Sequence, residues 1–349
     1  VILNGNSVIE GFTIQNGSGT SDGANFRGGG IYVNRSADTT YILNCSIINN
    51  TMSLLTDTRG AGIYGNSSTY IDNCYIANNN CSQYASGTAV GYLSNCIFEN
   101  NGGYACSWSK SIDNCLFINN GSRAIHSLTP SGTELGKVNN VTIINDFPRS
   151  SFYFGTNGAN ISNLILINPT TGYHASTWDS TLVNYSNISG GHLKFSNPTS
   201  SQFQNVIWGT GNIDLAPQFV DSANGDYTLV PGSPGVDVGN PDLNGNGIPW
   251  QNDPEDQDPD GTRMDMGYGY AAQGPVVNFS SPIISGSGGD VTYAWSTGET
   301  TATINPTPTV TSTYYVTVNN GINSCQDSIT VTVLPTSALA IDTTVCDSM

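Results

Sequence analysis

The sequence is short of charge, and shortest of positive charge. Charged residues make up 10% of it, with 9 Lys and Arg against 26 Asp and Glu, a net charge of −17. A nucleic-acid partner asks for a basic footprint that neutralises phosphates, so this balance argues against one. No apolar run reaches the ~18 residues that a membrane-spanning helix needs. A 3.6-residue apolar period is missing too, which excludes helical repeat arrays. The histidines, His126, His174 and His192, fall at unrelated places. Even so, 37% of the chain is apolar and patterned, so it is not a disordered polymer.

What is abundant is repetition. Ile112-Asp113-Asn114-Cys115-Leu116-Phe117-Ile118-Asn119-Asn120 returns as Ile42–Asn50, Ile71–Asn79 and Leu93–Asn101. Val138–Ile143 and Ile161–Leu166 keep the frame without cysteine, and Ile9–Ile14 opens it. Cys115 and Phe117 are two apart and share one face of a strand. Ile112 and Cys115 are three apart and would lie on opposite faces, unless the chain bends between them. Asn114 occupies that gap, and asparagine tolerates the left-handed backbone of such a corner. Asn44, Asn73, Asn95, Asn140 and Asn163 stand at the same place, so stacked units would build an asparagine ladder. A second inward column is expected from Ile31, Ile63, Val90, Cys106 and Ile125. Length varies after the Asn-Asn pair, where a coil can bulge into loops without disturbing its walls. The fold class is all-β, and a parallel β-helix fits the pattern.

Cys45, Cys74, Cys96 and Cys115 hold one ladder position, where parallel Cβ vectors disfavour disulfides. Burial as small hydrophobes is the expectation. A Cys81–Cys106 bond stays open, and Cys325 and Cys346 are expected to want a partner elsewhere.

Coils are expected over 1–214, then a turn-rich acidic region over 215–273 suited to cap the open end of the array. Residues 1–214 hold 11 acidic and 8 basic groups, whereas 215–265 hold 10 acidic groups against Arg263. Alternating Thr/Val strands over 274–335 read as a small β-sandwich, and 336–349 as the opening of a further, truncated module. Val1-Ile2-Leu3-Asn4-Gly5 already reads as coil, so a fragment or processed form is expected.

Gly11-Phe12-Thr13-Ile14-Gln15-Asn16-Gly17, the Asn-Cys coils, Pro217-Gln218-Phe219-Val220-Asp221, Gly225-Asp226-Tyr227-Thr228-Leu229, Gly232–Gly239 and Asp260–Gly267 carry a resemblance. Over 1 to about 272 the chain resembles secreted bacterial right-handed parallel β-helix repeat proteins ending in a choice-of-anchor Q-type region. Residues 274–335 resemble the immunoglobulin-like (PKD-like) modules of type IX-exported surface proteins, without their early cysteine. The resemblance implies an extracellular or cell-surface protein of pectate-lyase-like shape, whose partners would be glycans, another cell surface and further domains of the same chain.

The strongest chemical signal is acidic. Asp242, Asn244 and Asn246, with Asp253 at the twelfth place, match the spacing of an oxygen-ligand calcium loop. Asp256, Asp258 and Asp260 repeat it, with Asp265 beyond and Gly267 at the twelfth place. Structural Ca²⁺ is therefore expected, a solvated acidic loop being the plainer alternative. For sugars, the outward aromatics Tyr32, Tyr64, Trp108 and His126 are the candidates, with Phe154 in the same row. For O-glycosylation, the Asp-Ser/Thr steps offer Thr39, Ser180, Ser222, Ser328, Thr343 and Ser348. Arg27, Arg59 and Arg123 precede the strands that follow the coil walls, and Asp72 and Asp113 share a register position. No tight constellation of carboxylates and base emerges from them. The expectation is a non-catalytic, adhesin-type surface protein; a polysaccharide lyase or hydrolase acting on acidic glycans is the alternative.

Overall fold

A computed structural model describes the chain except residues 23–24, 35–37, 53–57, 82–84, 129–134, 145–151, 155–157, 168–174, 178–179, 196–205, 272–291, 302–303, 305–307, 309–310, 320–323 and 332–349. It divides into two compact units, Val1–Ala272 and Gln273–Met349.

The first unit is nearly all β. Its strands pair in parallel, coil upon coil, into one long curled, solenoid-like sheet. Three strips can be followed along it. In the first, Ile42, Ile71, Leu93, Ile112 and Val138 stand in register. The second carries Ile47, Ile76, Phe98, Phe117 and Ile143. The third carries Ile31, Ile63, Thr88, Cys106 and Ile125. Here Thr88 takes the place expected for Val90, because the register shifts between Ala85 and Thr88. All three columns share one core; Ile71 is 0% and Cys74 2% exposed, so side chains three apart do face one dry interior.

The corners explain how. Asn44, Asn73, Asn95, Asn114, Asn140 and Asn163 all have φ between 45 and 56°. Their side chains form an outer ladder, with Asn73 Nδ2 donating to Asn44 Oδ1 at 2.7 Å and Asn114 Nδ2 to Asn95 Oδ1 at 2.7 Å. Asp72 interrupts it by accepting from Asn95 at 2.7 Å, and Asp113 by accepting from Asn140 at 3.5 Å. A second corner, at Asn49, Asn78, Asn100 and Asn119, has φ of 51–55°. The residue after it makes a second ladder that sequence reasoning did not foresee. Asn50, Asn79, Asn101 and Asn120 are each 0% exposed. Asn50 Nδ2 donates to Asn79 Oδ1 at 2.9 Å, Asn79 to Asn101 at 3.1 Å and Asn101 to Asn120 at 3.0 Å. Each amide also donates to a backbone carbonyl of the neighbouring coil, as Asn101 does to Ile76 O at 2.9 Å.

Cys45, Cys74, Cys81, Cys96, Cys106 and Cys115 are buried free thiols, so Cys81 and Cys106 are not bonded to each other. The ladder cysteines are more than small hydrophobes. Each thiol donates to the carbonyl two residues earlier, Cys74 to Asp72 O at 3.2 Å and Cys96 to Ser94 O at 3.0 Å. Ser186 repeats the device with its hydroxyl on Asn184 O at 2.7 Å. The pairing states of Cys325 and Cys346 fall outside the described residues.

The acidic segment does not simply sit over an open end; it runs back along the outside of the second strip. Asn240 N donates to Asn163 Oδ1 at 2.6 Å, Tyr268 N to Thr142 Oγ1 at 2.8 Å and Gly269 N to Asn114 Oδ1 at 2.9 Å. Leu229, Met266 and Ala271 pack on Ile165. The reason is legible in hindsight: Val141–Ile144 and Leu164–Ile167 are nearly continuous apolar runs, which mark strands covered on both faces.

In the second unit the described residues form an antiparallel sheet of Thr292–Trp295, Ser312–Asn319 and Ser324–Val331. Trp295, Val316 and Val318 are its buried face, and the Trp295 indole donates to Thr301 O at 2.9 Å. Of the region expected to be a β-sandwich, 274–291, 302–303, 305–307, 309–310, 320–323 and 332–335 lie outside the described residues, as does all of 336–349. Among the described residues no helix is long and apolar enough to cross a membrane.

Candidate functional site

The outer face of the third strip gathers arginines and rings. Arg27 and Arg59 each stand immediately before a left-handed glycine, Gly28 (φ +56°) and Gly60 (φ +67°). A Cβ on either glycine would come within 2.2 Å of a backbone oxygen, so the sharp turn after each arginine demands glycine. The Arg27 guanidinium lies 5.2 Å from the Tyr64 ring centre, Arg59 4.5 Å from Trp108 and Arg123 5.6 Å from Tyr104. Tyr104 in turn stacks on His126 at 4.2 Å, and Trp108 meets His126 edge-on at 6.0 Å. Contacts of this kind are favourable by roughly 0.5–2 kcal/mol, more as water is excluded. Burial, and then the nearby Arg123 charge, push His126 down to about 4, so it is a neutral ring at neutral pH.

The aromatics expected to meet sugars divide. Tyr32 and Tyr64 stack on each other at 6.0 Å and are each 8% exposed, which leaves neither ring an open face. Trp108 and His126 are partly exposed. The row position after His126 belongs to Tyr153; Phe154 falls one step beyond, opposite Thr177.

Sequence reasoning missed a second aromatic column, on the first strip. Tyr41, Tyr70 and Tyr92 stack at 5.3 and 4.5 Å, and the Lys110 ammonium lies 5.2 Å from the Tyr92 ring centre. The signal was a tyrosine one residue before the inward Ile42, Ile71 and Leu93. Rings stacked this way offer solvent their edges rather than their faces. Asp72 and Asp113 belong to this first strip as rungs of the outer ladder, Asp72 also accepting from Ser94 Oγ at 2.6 Å. They therefore stand on a different strip from the arginines.

In the acidic segment the first expected loop closes on itself. Asp253 Oδ2 accepts from Asn244 at 3.1 Å and Asn246 at 2.6 Å, and these amides with the Glu255 N–H hold its carboxyl below the usual range. Asp242 accepts from Gly247 N. Asp256, 0% exposed, accepts from Leu243 N at 2.7 Å, and burial pushes its carboxyl up. The second loop separates from that pattern. Asp258 and Asp265 converge with Asp237, which sequence reasoning had not singled out, their carboxylate oxygens within 4.8 Å of one another. Asp260 shares the Thr262 hydroxyl with Asp237. Burial pushes Asp258 up to about 8, with Asp260 contributing, and Asp265 up to about 6. Asp237 was hard to see because it lies 21 residues before Asp258.

Of the serines and threonines considered for glycosylation, Ser180, Ser222 and Ser328 are exposed and Thr39 is half-buried. Thr343 and Ser348 lie outside the described residues. Comparison with protein-family models and with curated proteins finds no match to this sequence.

Proposed function

We propose that this chain is a non-catalytic, adhesin-type protein of the cell exterior: a right-handed parallel β-helix followed by an immunoglobulin-like module, binding acidic glycans on the arginine–aromatic strip. The observation that carries the reading is the pairing of the half-exposed Arg59 and Arg123 with Trp108 and Tyr104 on one face of a chain whose net charge is −17, the Arg27–Tyr64 pair of the same strip being buried. Positive charge concentrated among rings suits a carboxylated or sulfated sugar, with electrostatics selecting the partner and the half-exposed rings adding contact. Three strips of parallel strands around one core support the β-helix, and the antiparallel sheet of the second unit supports the immunoglobulin-like module.

Titration with polygalacturonate beside a neutral polymer such as dextran tests it. Binding is expected only to the acidic polymer, weakening with salt, and Arg59→Ala or Trp108→Ala should cost about tenfold in affinity, roughly 1.4 kcal/mol. Equal binding to both polymers overturns the reading. The appearance of new unsaturated sugar ends during the same incubation would replace it with the lyase alternative.

A further inference from the structure

The geometry points to a calcium centre in the acidic segment, formed by the carboxylates of Asp237, Asp258 and Asp265. It does not depend on the glycan reading. Their ligand oxygens lie within 4.8 Å of one another, although the residues are separated by up to 28 positions in the chain. Asp265 is 0% and Asp258 5% exposed, so the negative charge is held largely away from water.

What protein groups offer the Asp258 carboxylate falls short of what it needs. Asp265 is served by two backbone donors, Asp237 N at 2.8 Å and Ala271 N at 2.7 Å. Asp258 is served less well, with the Asp260 backbone N–H alone acting on its carboxyl. Its Oδ2 is buried and meets no hydrogen-bond donor. Its Oδ1 lies 3.4 Å from the Thr262 hydroxyl, which also faces Asp237 Oδ1 and, at 2.8 Å, Asp260 Oδ1. A hydroxyl has one proton to give, so these three acceptors cannot all be satisfied by it. The neighbouring Arg263 reaches the Tyr185 ring at 5.3 Å and Val238 O at 3.2 Å, and of the three carboxylates its charge acts on Asp237. Like charges buried together repel unless a cation joins them.

An all-oxygen donor set selects a hard cation. Mg²⁺ demands near-ideal octahedral geometry and gives up its waters reluctantly, whereas Ca²⁺ accepts irregular sets of protein carboxylates, so a site built of three protein carboxylates suits the larger ion. Such a centre would tie the Val236–Gly239 turn to the stretch Asp265–Gly269, whose backbone N–H groups at Tyr268 and Gly269 dock on Thr142 and Asn114. Calcium would thus clamp the acidic segment to the coils.

The test uses the whole 349-residue chain stripped with EDTA, titrated with CaCl2 by calorimetry and melted with and without the ion. Saturating Ca²⁺ is expected to raise the melting temperature by at least about 3 °C, and Mg²⁺ at the same concentration to do markedly less. Asp258→Asn should abolish calcium binding yet, in EDTA above pH 8 where the carboxylate is charged, melt higher than the parent chain, because it removes the buried repulsion; a variant that had merely misfolded would melt lower. Asp242→Asn, in the self-contained first loop, should bind like the parent. Absence of binding heat and of any melting shift overturns the proposal. So does loss of binding in Asp242→Asn with retention in Asp258→Asn.

Discussion

The two asparagine ladders of this protein use the same residue at the same spacing to different ends. The outer one, at Asn44, Asn73, Asn95 and Asn114, makes a corner; its amides are exposed up to Asn95 and half-buried at Asn114, and Asp72 and Asp113 break into it. The inner one, at Asn50, Asn79, Asn101 and Asn120, runs unbroken and dry, each amide serving backbone groups on adjoining coils. Exposed amides exchange water for each other at little net gain, whereas a buried one is needed to satisfy groups that water cannot reach. The outer ladder changes character further along. Asn140 is 3% and Asn163 0% exposed, because the acidic segment docks there. The contrast teaches that burial, not the repeat itself, sets how much each asparagine matters.

The harshest way to test the shared interior behind both ladders is Cys74→Asp. It places an unpaired charge at a site 2% exposed and should cost about 3–5 kcal/mol; a parent-like melt would mean that the position faces water. Next is a matched pair. Asn101→Leu should lose about 3 kcal/mol, since Ile76 C=O and Asn79 N–H are orphaned in the core. Asn73→Ala on the outer ladder should lose only about 1 kcal/mol, mostly left-handed strain, and Asn73→Gly less still. Equal costs in denaturant titrations would erase the distinction.

The smallest effect is one of pH, to which asparagine ladders are blind and the acidic segment is not. In metal-free protein Asp258 is raised from 3.8 to about 8 and Asp265 to about 6, so their contribution is complete below pH 3.8 and is lost as pH rises through those values. His126, lowered from 6.5 to about 4, acts oppositely and destabilises as pH falls between those limits. Between pH 6.5 and 8 stability in EDTA should therefore decline, and Asp258→Asn should flatten that slope.

Much of the fold was legible because its causes are local. Asparagine's tolerance of left-handed backbone and the two-residue alternation of strands act within a few residues, so Ile71 and Cys74 could be assigned to one interior from spacing alone. The candidate sites were less legible. Tyr32 and Tyr64 were expected outward and exposed, but neighbouring side chains close over them. The second acidic loop matched a ligand spacing along the chain, yet Asp258 and Asp265 find their partner in Asp237, a residue with no motif to mark it.

By itself, then, the sequence determined the repeating unit: where its first corner falls, most of the side chains that turn inward, and that the strands stack in parallel. Only the tertiary structure decided which amides are dry, which carboxylates converge, and where the acidic segment lies. Those outcomes depend on contacts between residues far apart in the chain, such as Gly269 with Asn114 across 155 positions. No short stretch of sequence encodes such a contact, because it exists only once the coils have stacked.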